Sequence, residues 1–411
     1  MSQKSFHRVE LALRAIAEGR AVVVADSRDR ENEGDLIFAA AKATAEIMAF
    51  TVRHSSGVVC VSLTAAKLRE LGLPLMIAEN TDAHGTAFTI SVDWRHGTTT
   101  GISASDRAAT IRRLADAQAT AGDFSRPGHV FPLQAREGGV LKRPGHTEAA
   151  GDLARLAGLG PAGVLCEIVN DDGTMKRGHD LEEFAADHGL PFLTIEDLIA
   201  YRRSTEILVE KSATSRLPTM HGIFELHVYR SKLDGTEHLA IVKGTVTGQE
   251  NVLVRVHSEC LTGEILGSTR CDCGTQLDMS LKLIEQEGAG VVVYLRGHEG
   301  RGIGLTSKIH AYALQDTGMD TVEANQDLGL PVDSRRYDVG AQILTDLGLR
   351  TIRLMSNNPA KFTQLSGYDL MIVERVPLES EPNLENIFYL RTKQAKLGHL
   401  FDLPLKVLEV R

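Results

Sequence analysis

Cys260, Cys271 and Cys273 fall within fourteen residues of one another. Thiolates are the soft ligands zinc prefers, and three protein ligands leave a fourth position open for water, whose pKa falls to roughly 7 on zinc. A fourth side chain, His257 or His298, would instead close the site into a structural one. The polar residues crowded around the thiols (Arg255, Ser258, Glu259, Asp272 and Gln276) favour the open, catalytic form. Downstream, Arg296-Gly297-His298-Glu299-Gly300-Arg301-Gly302-Ile303-Gly304 has the glycines that let backbone N–H groups approach an anion. It lacks the Lys-Ser/Thr end of a Walker loop. Asp333-Ser334-Arg335 and Ser356-Asn357-Asn358-Pro359-Ala360-Lys361 are further polar loops.

The front half has a different chemistry. Arg30-Glu31-Asn32-Glu33-Gly34-Asp35 sets three carboxylates beside an arginine, a set suited to a divalent cation and a phosphate or sugar hydroxyl, or to a solvated charged turn. Arg-Pro-Gly-His occurs twice, at 126–129 and 143–146. Proline and glycine fix a turn, arginine supplies an anion fork, and histidine supplies a metal ligand or proton carrier. The repetition reads as one rigid loop used twice. Thr98 to Ser105 is hydroxyl-rich and fits either a phosphate site or a loop with a helix cap.

These residues need elements to hold them. Val9, Leu13, Ile16 and Ala17 recur at helical spacing, with Gly19 as the stop. Ala21 to Ala25 reads as a buried strand feeding the charged loop 26–35. Leu193 to Arg203 reads as a closing helix, with Thr194 as N-cap and Asp197 three residues on. Thr205 to Gly222 reads as a linker. Phe224 to Arg230 and His238 to Gly244 read as a hairpin around Asp234-Gly235. Val252 to Val256, Val291 to Leu295, Thr351 to Met355 and Leu370 to Val373 read as strands, and Ile303 to Asp316 as a helix. The expected fold is mixed α/β (α+β): two domains, 1–204 and 205–411, each a mixed β-sheet with flanking helices.

The chain has 411 residues, 43% hydrophobic and 24% charged, with 45 basic and 54 acidic side chains and a net charge of −9. This is globular composition, and a negative chain is a poor general binder of nucleic acid. No apolar run approaches the roughly 18 residues of a membrane span. Met1 to Glu10 has no apolar signal segment, and an odd number of cysteines does not read as a disulfide framework. The expected compartment is a reducing cytoplasm.

The front-half motifs carry a resemblance. Asp26 with Arg30 to Asp35, Thr100 to Arg107, Phe124 to His129, and Arg143 to Ala150 together resemble the 3,4-dihydroxy-2-butanone 4-phosphate synthase family over residues 1–204. The resemblance implies conversion of ribulose 5-phosphate to the four-carbon phosphate plus formate, with two magnesium or manganese ions per site. It implies metal ligation by Glu31 and His146, and catalysis by His129 and Glu167. It implies substrate contacts by Arg30, Glu31, Asp35, Arg143, Pro144, Gly145, His146, Thr147 and Glu167, and a homodimer with its site at the subunit interface. Glu167 follows the apolar run Ala162 to Cys166, so burial is expected to raise its pKa. Ser27 stands where that family usually has a second aspartate.

Arg255 to Gly263, Arg270 to Gly274, Glu299 to Leu305 and Val373 to Pro377 are similar to GTP cyclohydrolase II, over 205–411. This resemblance implies conversion of GTP to 2,5-diamino-6-(5-phosphoribosylamino)pyrimidin-4-one, formate and pyrophosphate. It implies one zinc on Cys260, Cys271 and Cys273. Implied GTP contacts are Arg255, Val256, His257, Ser258, Glu259, Gln276, Glu299, Gly300, Arg301, Thr321, Ser356 and Lys361. Asp333 is the implied proton acceptor and Arg335 the implied nucleophile at the α-phosphate. A guanidinium stays protonated in proteins, so an electrostatic role for Arg335 is chemically simpler. Ser356 replaces a threonine, Ala360 a basic residue, and Arg336 and Asp338 are unusual. The expectation is a fused enzyme making both precursors of the riboflavin ring system. The alternative is a working synthase joined to a non-catalytic, GTP-binding or scaffolding zinc domain.

Overall fold

The helix Gln3–Ala17 buries Val9, Ala12, Ala15 and Ile16 along one stripe, and Gly19 follows it in the left-handed region, φ 83°, where glycine carries no Cβ penalty. The computed structural model describes residues 3–365 and 368–401 and divides into two units, Met1–Thr205 and Glu206–Arg411.

The first unit is built on seven strands: β1 (Val22–Ala25), β2 (Gly34–Ala39), β3 (Cys60–Leu63), β4 (Val92–Trp94), β5 (Phe124–Gln134), β6 (Gly163–Glu167) and β7 (Phe192–Thr194). Their order is β4-β5-β3-β6-β2-β1-β7, with β5/β3 and β1/β7 parallel and the other neighbours antiparallel. Every residue of β1 and β2 is buried, because both faces are covered. Val22, Val24, Ile37 and Ala39 face a core with Val9, Ile16 and Leu153. Their neighbours Val23, Leu36 and Phe38 face another core with Met48, Ile111 and Leu114. The alternation within one short strand is the period of two that a pleated backbone imposes.

The second unit has β8 (Val209–Thr219), β9 (Gly222–Ser231), β10 (Glu237–Lys243), β11 (Val252–Ser258), β12 (Gly290–Leu295), β13 (Thr351–Met355) and β14 (Met371–Val376). The order is β14-β13-β11-β12-β10-β9-β8. β11 to β14 run parallel, and β8 to β10 form an antiparallel meander beside β12. Ligands of parallel α/β sheets gather at the carboxyl ends of strands, which here are Ser258, Leu295 and Met355.

Three expectations change. The expected linker holds β8, an edge strand paired with β9 and exposed along most of its length. From Glu210 to Arg216 neither face is covered, so no apolar alternation marks that stretch, and backbone pairing makes it a strand. Leu193 and Thr194 belong to β7, and the helix begins at Ile195; Thr194 and Asp197 cap it reciprocally, with Asp197 N donating to Thr194 Oγ1 at 3.1 Å. The two Arg-Pro-Gly-His segments are not one loop used twice. The first lies within β5 and has a cis Arg126-Pro127 bond, whereas Gly145 of the second is the N-cap of the helix His146–Leu156.

Candidate active sites

Asp26 follows β1 and folds the charged loop around its own carboxylate. Oδ2 accepts from Glu31 N at 3.1 Å and Arg30 Nη1 at 2.9 Å, and Oδ1 accepts from Glu33 N at 2.9 Å. Arg30 also reaches Glu31 Oε2 at 2.5 Å. Strand register adds two more carboxylates: Asp35 pairs with Val24 on one side and Glu167 on the other. His146 opens its helix beneath them. Its Nε2–H donates to the Val24 carbonyl at 3.1 Å, which leaves Nδ1 facing Glu31 at 3.6 Å and Asp35 at 3.7 Å. Asp26, Glu31 and His146 each offer a ligand atom, and these lie within 4.8 Å of one another.

The electrostatics follow from that packing. The adjacent His146 ring, with Arg30 beyond it, holds Glu31 down at about 2 despite partial burial. Burial pushes Asp35 up to about 7. Burial also opposes a charged His146, but the nearby Asp35 and Glu31 carboxylates outweigh it, and His146 rises to about 9. Asp35 Oδ1 is buried with no hydrogen-bond partner. Glu167 is only half-buried at the end of β6 and accepts from Ser56 Oγ at 2.7 Å. Asp35, rather than Glu167, is thus the carboxyl that the core encloses.

His129 has a different partner, Asp93. Its Nδ1 lies 2.7 Å from Asp93 Oδ2, and its backbone N–H donates to Asp93 Oδ1 at 2.9 Å. Gly128 permits this approach, since a Cβ there would fall 2.0 Å from the Val92 carbonyl carbon. The arginines of the two repeats differ as well. Arg126 Nη2 binds the Leu71 and Ala121 carbonyls at 2.7 and 3.0 Å and is structural. Arg143 pairs with Glu148 at 2.7 Å and reaches the His84 carbonyl at 3.0 Å. Pro144 and Gly145 lead into the helix, and Thr147 is buried in its first turn. In the hydroxyl-rich loop, Thr99 Oγ1 and Gly101 N donate to Asp106, and Ser103 caps the helix Ala104–Ala115.

In the second unit the thiols of Cys260, Cys271 and Cys273 come within 4.8 Å, in a group that contains no histidine among the described residues. His257 is committed to Glu264 at 2.8 Å, and His298 to Ser258 at 3.1 Å. Gly263 makes room for the trio, since a Cβ there would meet Cys271 Sγ at 2.6 Å. Hydrogen bonds from Cys271 and Cys273, with Lys308 opposite, hold the Cys260 thiol far below its ordinary range. Lys308 Nζ donates to Cys260 Sγ at 3.2 Å, Thr262 Oγ1 at 2.7 Å and Glu299 Oε1 at 2.5 Å. Glu299 Oε2 accepts from Leu261 N at 2.6 Å, so the glycine-loop carboxylate braces the metal loop.

Two cavities adjoin the thiols and share Ser258, Cys273, Arg301, Arg335 and Tyr389. Gly300 and Arg301 are left-handed, φ 59° and 65°, a backbone strain that Ser334 stabilises by donating twice to the Arg301 carbonyl, at 3.0 and 3.1 Å. The helix expected from Ile303 therefore starts at Leu305. Arg301 Nη1 and Nη2 are buried and have no hydrogen-bond partner. Asp333 grips Arg335 through both Nε and Nη2, at 2.9 and 2.5 Å; burial opposes the guanidinium charge, but Tyr337 and then Asp333 outweigh it and raise the pKa. Arg255 bonds Gln276 at 2.5 Å, and Lys361 donates to the Val256 carbonyl at 2.7 Å. Burial, with Arg255 and Arg335 nearby, pushes Lys361 well down. Val256 itself points into the core, so its contribution is its backbone. Glu259 accepts from Gly297 N at 2.7 Å, and Thr321 and Ser356 line one cavity each.

Residues 10–201 match the 3,4-dihydroxy-2-butanone 4-phosphate synthase family, and residues 210–377 match GTP cyclohydrolase II. The riboflavin biosynthesis protein RibBA of Nocardia farcinica is 60% identical over 97% of this chain and 98% of its own. The chain belongs to the bifunctional riboflavin biosynthesis family. Its first unit is a synthase (a lyase) and its second a cyclohydrolase (a hydrolase). The bifunctional riboflavin biosynthesis protein RIBA 1, chloroplastic, of Arabidopsis thaliana is 59% identical over 98% of this chain and 74% of its own. Among solved structures, RibBX of A. baumannii, a two-domain 3,4-dihydroxy-2-butanone 4-phosphate synthase, aligns with a TM-score of 0.66. It is 38% identical over 90% of this chain and 99% of its own. Among the described residues, no helix is long and apolar enough to cross a membrane.

Sequence reasoning missed several groups at these sites. In the synthase unit they are Asp93 and Ser56. Asp93 had a signal, being an acid between Val92 and Trp94 in an apolar stretch. In the cyclohydrolase unit they are Lys308, Tyr389 and Lys393. Lys308 shares the buried face of its helix with Ala311, a position where an uncompensated charge is costly.

Proposed function

We propose that the synthase unit takes ribulose 5-phosphate at the Asp26–Glu31–His146 group and the cyclohydrolase unit takes GTP beside the three thiols. The observation that carries this reading is that, among the described residues, each unit gathers one cluster of ligand atoms within 4.8 Å, with different donor chemistry. Carboxylates with one imidazole, beside an Asp35 oxygen that makes no hydrogen bond, fit magnesium or manganese. Glu31 and His146 would hold the ions, two per site. Three thiols fit one zinc.

When bound, the hard cation supplies charge stabilisation to an enediolate. The synthase residues hold and move protons around it. Asp93 fixes the His129 ring by Nδ1, so Nε2 is the atom that exchanges a proton with substrate. Glu167, with one oxygen taken by Ser56, is the second proton carrier. Arg30, Asp35, Arg143 and the 144–147 turn orient the sugar phosphate, and a homodimer is part of this reading.

When bound, zinc supplies Lewis acidity toward water and the guanine C8. Arg301 offers two donors without a hydrogen-bond partner to phosphate oxygens, Arg255 and Arg335 add positive charge beside them, and Lys361 adds an amine donor. The grip of Asp333 supports an electrostatic role for Arg335 rather than a nucleophilic one. Five free cysteines agree with cytoplasmic residence. The test is formate release from each substrate by the purified protein, with and without chelator. GTP turnover that a chelator removes and zinc restores supports the reading. GTP binding without formate release would favour a scaffolding domain.

A further inference from the structure

We infer that the helix Ile387–Leu397, beyond the segment 210–377 matched to the cyclohydrolase family, completes the GTP site, with Lys393 positioning the metal-ligand loop and Tyr389 walling the cavity beside Arg301. This rests on the reading of the thiols and their cavities as the GTP site. Lys393 Nζ lies 2.9 Å from Asp272 Oδ1, and the two side chains are only 11% and 1% exposed. Asp272 stands between Cys271 and Cys273, so this pair pins the loop that carries two of the three thiols. The other Asp272 oxygen accepts from Gln276 Nε2 at 2.6 Å, and Gln276 Oε1 accepts from Arg255 Nη2 at 2.5 Å. A chain of polar contacts therefore runs from the C-terminal helix to two implied GTP contacts.

Tyr389 ties the same helix to the phosphate side. Its ring centroid is 4.2 Å from Lys393 Nζ and 5.9 Å from the Arg301 guanidinium carbon. Tyr389 lines both cavities, and Lys393 lines the smaller. The helix is anchored on its other side, where Lys396 pairs with Asp320 and with Glu323 in the capping box of the helix Thr321–Asp327. Removing the Lys393 ammonium would leave a buried carboxylate uncompensated beside thiolates, and the loop relieves that repulsion by moving outward.

The test uses Lys393→Met in the full, zinc-loaded chain. It reads the rate of zinc transfer to a chromophoric chelator, kcat and KM for formate release from GTP, and formate release from ribulose 5-phosphate as internal control. Zinc release is expected to be faster and kcat lower, each by about tenfold or more, as for other groups that orient metal ligands. The control is expected to be unchanged. Lys393→Arg, which restores the charge, recovers much of both losses, and Tyr389→Leu raises KM for GTP without speeding zinc release. Zinc release and kcat within about twofold of the parent in Lys393→Met would overturn the inference, since orienting groups of this kind normally contribute more. If that variant does not fold, by circular dichroism, Lys393→Gln is read in the same way. A parent that releases no formate from GTP would overturn the GTP reading, while zinc release still decides whether Lys393 positions the loop.

Discussion

In the synthase unit the carboxylates of Asp26, Glu31 and Asp35 are balanced by Arg30 and by a proton on His146, itself a candidate ligand. In the cyclohydrolase unit the thiols are balanced by Lys308 on Cys260 and by Lys393 on the intervening Asp272, neither of which is a metal ligand. The difference separates two designs. A ligand must shed its proton before a metal binds it, so the first site offsets its charge with something that leaves. The second keeps its ammonium groups when filled, and they offset the excess negative charge of three thiolates on a divalent ion. Oxygen donors suit ions that exchange with solvent, and sulfur donors suit one held firmly.

The comparison is broken most directly by Cys271→Ser. GTP turnover is expected to fall to background while ribulose 5-phosphate turnover is kept, because the ligand clusters lie in separate units. Loss of both activities in a folded protein would show that the units do not work independently. His129→Ala is the mirror experiment, expected to cost about 10²- to 10⁴-fold in formate release from ribulose 5-phosphate and nothing from GTP. Asp93→Asn should give a smaller loss in the same assay, since His129 loses its orienting carboxylate.

Lys308→Met sharpens the contrast between removable and permanent charge. GTP turnover is expected to drop by about 10- to 100-fold, with weaker zinc retention in a chelator titration. Unchanged retention and turnover would mean that the thiols need no ammonium. The smallest effect is expected from Thr44→Ala, which removes the N-cap acceptor of the helix Ala45–His54. Thermal or denaturant unfolding should show a loss of about 1 kcal/mol from the synthase unit, with both activities intact.

Much of each site was legible because the chemistry is local. Cys260, Cys271 and Cys273 announce a soft-metal group by type and spacing, and 30–35 announces an oxygen-rich one. The parallel strands were legible from their β-branched runs, as in Val291-Val292-Val293. The edge strand β8 was not, since a strand exposed on both faces has no hydrophobic period to read. Nor was the divergence of the two Arg-Pro-Gly-His segments, which depends on whether the backbone after histidine pairs with β3, as in β5, or enters a helix.

By itself the sequence determined which donors exist and how the chain alternates between helix and strand, because side-chain type and hydrophobic period are local properties. Tertiary structure alone decided which groups neutralise those donors. Asp93 reaches His129 across 36 residues, Lys308 reaches Cys260 across 48, and Lys393 reaches Asp272 across 121. Charge compensation acts through space at a few ångströms, and partners so far apart along the chain leave no spacing that a reader of the sequence can see.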